Sequence, residues 1–139
     1  MSQKQNEWNK HWMAKQEEHG LCIFCRSEKL PNSRLCEKHY FSSIAGSVLK
    51  NTKLGSAISE LFYAQEGKCY LTGEKLILGV NAGLDHIIPQ SKNMLAVDDL
   101  TNIAWVDSQM NRVKNDLTYD EFLSVCKKVI EYSKPIKSL

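Results

Sequence analysis

Apolar and polar positions along this chain fall into segments with different spacings, divided by glycine, proline and asparagine. Residues 3–19 are polar and lack proline and glycine, which predicts a surface helix that Gly20 ends. Trp8 and Trp12 lie four apart on it, share a face, and are expected to pack on the segment that follows. Residues 41–50 and 56–65 read as two further helices around a turn near Asn51-Thr52. In the second, Ile58, Leu61, Phe62 and Gln65 recur at helical spacing, a core-facing stripe stopped by Glu66-Gly67. Residues 70–72 and 75–78 flank Gly73-Glu74 and read as a short hairpin. Residues 84–88, ended by Pro89, and 101–106 read as strands separated by a loop over 90–100. Asp107 or Ser108 caps a helix carrying Asn111, Arg112 and Lys114. Thr118-Tyr119-Asp120-Glu121 is a capping box opening a last helix to about Tyr132, with Phe122, Val125, Val129 and Tyr132 as its apolar face. Helices around a few short strands make this an α+β chain.

Composition narrows the class. At 139 residues the chain holds one domain, or one small domain with an accessory module. No apolar run approaches the roughly 18 residues of a membrane span. The opening MSQKQNEWNKHW has no signal-peptide core, so a cytoplasmic, non-secreted protein with no membrane partner is expected. The net charge of +2 is too small to argue for nucleic acid. Its distribution says more: residues 22–55 hold six basic side chains, including Arg34, Lys38 and Lys50, against two acidic ones. Such a patch is able to lie along a phosphate backbone, and equally to be a solvated face.

Five cysteines, an odd number without a secretion signal, favour metal binding over a disulfide framework. Cys22-Ile23-Phe24-Cys25, ten residues, then Cys36-Glu37-Lys38-His39 bring four soft ligands together if each pair sits on a tight turn. Cys₃His is an ordinary structural zinc set. So short a module buries little core, and one bound Zn²⁺ would supply its folding energy.

The chemistry concentrates in residues 84–116, LDHIIPQSKNMLAVDDLTNIAWVDSQMNRVKND. Asp85 and Asn111 offer the oxygen ligands that Mg²⁺ prefers. Histidine as a residue type has an ordinary pKa near ~6.5, suited to taking a proton from water at neutral pH, which makes His86 the candidate base. Arg112 and Lys114 suit contact with DNA phosphate. Each residue alone is as well explained by a turn or a helix cap; the set, in this order, fits hydrolysis of a phosphodiester with one hard metal ion.

Asp85-His86-Ile87-Ile88-Pro89-Gln90-Ser91, then Asp98-Asp99-Leu100-Thr101-Asn102, then Asn111-Arg112-Val113-Lys114-Asn115-Asp116 resembles the HNH, or ββα-metal, nuclease motif. It is especially similar to the HNH domain of RNA-guided type II CRISPR effectors. The likeness covers residues 67–122, about two-fifths of the chain. It implies a ββα-metal core that cleaves double-stranded DNA with one Mg²⁺ or Mn²⁺. Asp85 and Asn111 would be the metal ligands, His86 the general base, and Asn102 the residue of the catalytic set that steadies the loop between the strands. Many members also hold a zinc on two Cys-x-x-Cys pairs. Here Cys69-Tyr70-Leu71-Thr72 keeps one cysteine and residues 105–110 have none, so apolar packing must replace that zinc. The resemblance further implies a prokaryotic or phage-encoded enzyme, of homing type ahead of restriction type. A single site cuts one strand, so double-strand cleavage needs a homodimer or two successive events, and the residues leave both open. The rival reading is a non-catalytic, zinc-containing nucleic-acid-binding protein with the same fold. The expected organisation is an N-terminal helix over 1–20, a zinc module over 21–42, connecting helices over 43–66, the nuclease core over 67–132 and a tail over 133–139.

Overall fold

The computed structural model describes residues 1–134, so most of the segment expected as a tail lies outside the described residues. Helix α1 (Gln3–Glu18) starts on the Ser2 side chain and ends before Gly20, whose φ of 69° suits glycine. It is followed by the cysteine-rich turns, then by α2 (Glu37–Val48) and α3 (Gly55–Ala64). Strands β1 (Ala82–His86) and β2 (Ile103–Asp107) form one antiparallel pair, with Leu84 opposite Trp105 and Asp85 opposite Ala104. Helix α4 (Ser108–Lys114) leaves β2 directly and packs on both strands; α5 (Tyr119–Tyr132) follows. The described residues are thus a mixed α+β chain.

The core lies between α2, α3 and one face of the strand pair. Phe41 and Ala45 of α2, and Leu49 as its C-cap, cluster with Ile58 and Phe62 of α3, with Leu76, Leu78, Leu84, Ile103 and Trp105 closing the cluster. Trp105 is fully buried, and its indole N–H donates to the Ile58 carbonyl at 2.8 Å. Phe41 and Phe62 approach it edge-on at centroid distances of 5.6 and 5.4 Å. Gln65, read as the end of the α3 stripe, has another use: its carboxamide exchanges two hydrogen bonds with the Trp105 backbone, at 2.9 and 3.0 Å.

Several elements differ from the sequence reading. Helix α2 begins at Glu37 rather than near residue 41, so it spans the expected boundary between zinc module and connecting helices. The expected hairpin is a single bridge, Lys68 with Lys75. The Asn81 side chain takes the place of a strand partner for the second arm, accepting from Ile77 N and donating to Lys75 O. That frees Leu76 and Leu78 to enter the core. Both strands sit about two residues from their expected positions. After His86 the pairing passes to Asn102, and residues 100–102 form a 3-10 turn capped by Asp99. Trp8 and Trp12 stack on each other with ring centroids 6.1 Å apart, and Trp8 is 60% exposed. The module meets the last turns of α1, where buried Gln16 donates to Cys25 O at 3.0 Å. On α5 only Phe122 of the expected apolar face is buried; Val125, Val129 and Tyr132 are exposed.

Candidate active site

The strand period decides which way the chemistry faces. Consecutive side chains of β1 point to opposite sides, so Leu84 enters the core and Asp85 points toward α4. The start of α4 is fixed by a polar clasp. Asp107 accepts from Gln109 N and Met110 N as the N-cap, and its other oxygen accepts from Asn81 Nδ2. Asn81 O also accepts from Ser108 N at 2.8 Å. One turn into α4, Asn111 and Lys114 lie three apart on the face that meets Asp85.

The Asn111 carboxamide meets both carboxylate oxygens of Asp85, at 3.1 and 3.3 Å. With its NH₂ turned inward it donates to both; with its oxygen turned inward, three oxygens converge. Adjacent ligands of an octahedral ion with bonds of ~2.1 Å stand roughly 3.0 Å apart, so the second orientation matches the donor spacing of a Mg²⁺-sized ion. Lys114 departs from its expected role as a phosphate contact. It is 2% exposed, its Nζ lies 3.1 Å from Asp85 Oδ2, and it donates to Leu117 O at 3.0 Å. Arg112, by contrast, is exposed and available to a polyanion.

His86, half-buried, contacts the Val97 carbonyl through Nε2 at 2.9 Å. A carbonyl only accepts, so Nε2 carries the proton and the neutral imidazole keeps a free lone pair on Nδ1. That is the tautomer a general base requires. Asn102, 4% exposed, grips the start of the loop: its Oδ1 accepts from Ile88 N at 2.8 Å and its Nδ2 donates to Ile88 O at 2.9 Å. Its backbone carbonyl accepts from Ile87 N. Sequence reasoning missed Val97, whose backbone role leaves no mark in residue type, and the burial of Lys114, which its spacing from Asn111 did signal.

The second site is the cysteine cluster. The ligand atoms of Cys22, Cys25, Cys36 and His39 all lie within 4.8 Å of one another, a group able to hold a structural zinc. Cys25 and Cys36 sulfurs are 3.6 Å apart, and His39 Nδ1 is 3.2 and 3.4 Å from those of Cys36 and Cys22. Zinc–sulfur bonds of ~2.3 Å in a tetrahedron place ligand atoms roughly 3.7 Å apart, close to these values. Cys36 is the N-cap of α2 and His39 lies in its first turn, so the second ligand pair is set by a helix start rather than by a loop. Hydrogen bonds from Ser27 lower the Cys25 thiol to about 6, toward the thiolate that a metal takes, whereas burial pushes Cys36 up. Cys69 is outside this cluster. Burial raises its thiol, but hydrogen bonds from Thr72 and from backbone N–H groups, that of Asp107 at 3.2 Å among them, outweigh it and the net shift is downward.

No family model matches the chain, and no curated protein matches it.

A groove of about 670 Å³, lined by Lys38, Ser42, Lys53 and Ser56 among others, does not include Asp85. Beside Asp85 lies a slit of about 10 Å³, between Tyr70, Ala104 and Lys114. Polar groups thus converge beside a narrow slit at Asp85.

Proposed function

We propose that the chain is a metal-dependent endonuclease that hydrolyses phosphodiester bonds of double-stranded DNA by a one-metal HNH mechanism. The observation that carries this reading is the meeting of the Asp85 carboxylate and the Asn111 carboxamide across β1 and α4, next in sequence to an imidazole that meets the Val97 carbonyl through Nε2. Asp85 and Asn111 would hold Mg²⁺ or Mn²⁺, which when bound offsets the charge developing on the leaving 3′ oxygen. His86 Nδ1 takes a proton from the attacking water, whose oxygen bonds to phosphorus as the bond to the 3′ oxygen breaks. The leaving 3′ oxygen takes a proton from solvent water, so the products are a 5′-phosphate and a 3′-hydroxyl. The Val97 carbonyl holds the imidazole in its reactive tautomer, and Asn102 holds the loop that brings Val97 there. Exposed Arg112 meets phosphate, and the zinc-loaded module with Lys38 and Lys50 extends the DNA contact. The homing role is proposed ahead of restriction because a small basic module on one core suits a free-standing cutter.

The reading without catalysis gains one observation, the Lys114 ammonium on Asp85. Supercoiled plasmid decides between the two. Relaxed or linear product that requires Mg²⁺, and that slows by about 10²–10⁴-fold in His86→Ala, is the expected outcome for the enzyme. Plasmid bound but uncut at saturating Mg²⁺ favours the binder.

A further inference from the structure

We infer that Lys114 is the internal counter-ion of Asp85 in the metal-free protein, and that a divalent ion enters by taking over that charge compensation. The inference rests on the metal reading of Asp85 and Asn111. Lysine is almost never buried to this depth without a counter-charge, and among the described residues Asp85 is the carboxylate in salt-bridge contact with Lys114. The geometry looks built for the purpose. Asn115, at φ 49°, turns the chain out of α4, and the Leu117 carbonyl comes back to accept from the same ammonium.

Asp85 thus divides its two oxygens. Oδ2 receives Lys114, while both oxygens face the Asn111 carboxamide. An ion held by Asn111 and the carboxylate would share one negative charge with a buried ammonium, and the two cations repel. The partner on α4 is a neutral carboxamide, so it adds no charge to relieve that competition. Affinity for the ion is then the difference between its attraction to the carboxylate and the cost of crowding or displacing Lys114. Lys114 acts through Asp85 and is a positioning residue, whose loss should strengthen metal binding while weakening the metal-free fold.

Zinc-loaded protein titrated with Mn²⁺ by calorimetry, with thermal unfolding followed in parallel, tests this. Lys114→Met keeps the side-chain length and removes the charge. It is expected to lower the unfolding midpoint without Mn²⁺, to bind Mn²⁺ about 10-fold more tightly, and to gain more stability from the ion than the parent does. Affinity equal to or weaker than the parent's overturns the inference and leaves the metal reading in place. Binding at this site is defined by its loss in Asn111→Ala. A parent whose Mn²⁺ binding is indifferent to Asn111→Ala overturns the metal reading and this inference with it. Should Lys114→Met not fold, nitrogen-detected NMR of lysine ammonium groups puts the question to the parent. A slowly exchanging Lys114 signal that shifts on adding Mg²⁺ supports the inference, and one unmoved at saturating Mg²⁺ overturns it.

Discussion

Asn102 behaves as a piece of strand made from a side chain. Its carboxamide offers Ile88 one acceptor and one donor, the two bonds a neighbouring strand would give, in a place where the chain has turned too sharply to supply one. Asn102→Ala would leave the Ile88 N–H without its partner, at a cost of about 1–3 kcal/mol at most, and would leave the Ile88 carbonyl with Asn93 Nδ2 alone. Urea unfolding is expected to show Asn102→Ala less stable than His86→Ala, because His86 is half-buried and gives up a single hydrogen bond. Equal stability of the two variants would remove Asn102 from its role in holding the loop. On the metal reading, Asp85→Ala or Asn111→Ala is expected to raise the Mg²⁺ concentration needed for cleavage, read from rate against Mg²⁺. The identities of these residues were legible in the sequence through their order and spacing. Their partners were less so: Val97 acts through its backbone, and Lys114 is drawn inward by a carboxylate that stands far from it in the chain.

At the level of elements, punctuation was read well and pairing less well. The capping box at Thr118 forms as its residues predict, with Glu121 N donating to the Thr118 hydroxyl and Thr118 N donating to the Glu121 carboxylate. Glu121 also receives Lys92 Nζ at 2.7 Å, tying residues 90–92 to the start of α5. The Lys92 hydrogen bond first, and the Thr118 N–H after it, hold the Glu121 carboxyl below its ordinary range. A depressed carboxylate contributes stability that is present above its unfolded value and lost as pH falls through the folded one. Acid titration followed by amide exchange is therefore expected to loosen the first turn of α5 below about pH 4.3, the ordinary glutamate value. Glu121→Gln should remove that step; a variant with the same acid profile as the parent would show that the step belongs to other groups. The hairpin expected over 70–78 failed for a definite reason. Periodicity cannot reveal that the side chain of Asn81, four residues past Ile77, will satisfy the second arm's backbone.

For the molecule as a whole, the two sites hang on one helix. Helix α2 has Cys36 as its N-cap and His39 in its first turn, and it carries Phe41 and Ala45 into the shared core, with Leu49 as its C-cap. Elemental analysis is expected to find about one zinc per chain, held by Cys22, Cys25, Cys36 and His39; none, or two, would contradict the cluster as drawn. Charge is distributed unevenly around this helix. Arg34 is paired with Glu17 of α1, and Lys50 donates to Ser47 O, whereas Lys38 and Lys53 line the open groove. If this face carries DNA, Lys38→Ala should weaken binding to all sequences alike and flatten the salt dependence by up to about one unit, with Arg34→Ala doing less. Binding with unchanged affinity and salt slope would make the patch a solvated face. The basic stretch was visible in the sequence, but the Arg34–Glu17 pairing was not, because it depends on where α1 lies against the cysteine turns.

The surroundings of β2 have a consequence for solubility. Ile103–Val106 is an apolar run buried on both faces, the kind of segment that recruits other chains when its edge is open. One edge is closed by β1. On the other, the Trp105 backbone is taken by Gln65 and by Tyr70 N, and the Asp107 N–H by the Cys69 sulfur. A two-stranded sheet thus presents little free template for intermolecular strand addition at these positions. Removing the Gln65 carboxamide would unmask it, so the first symptom of that change should be aggregation on storage.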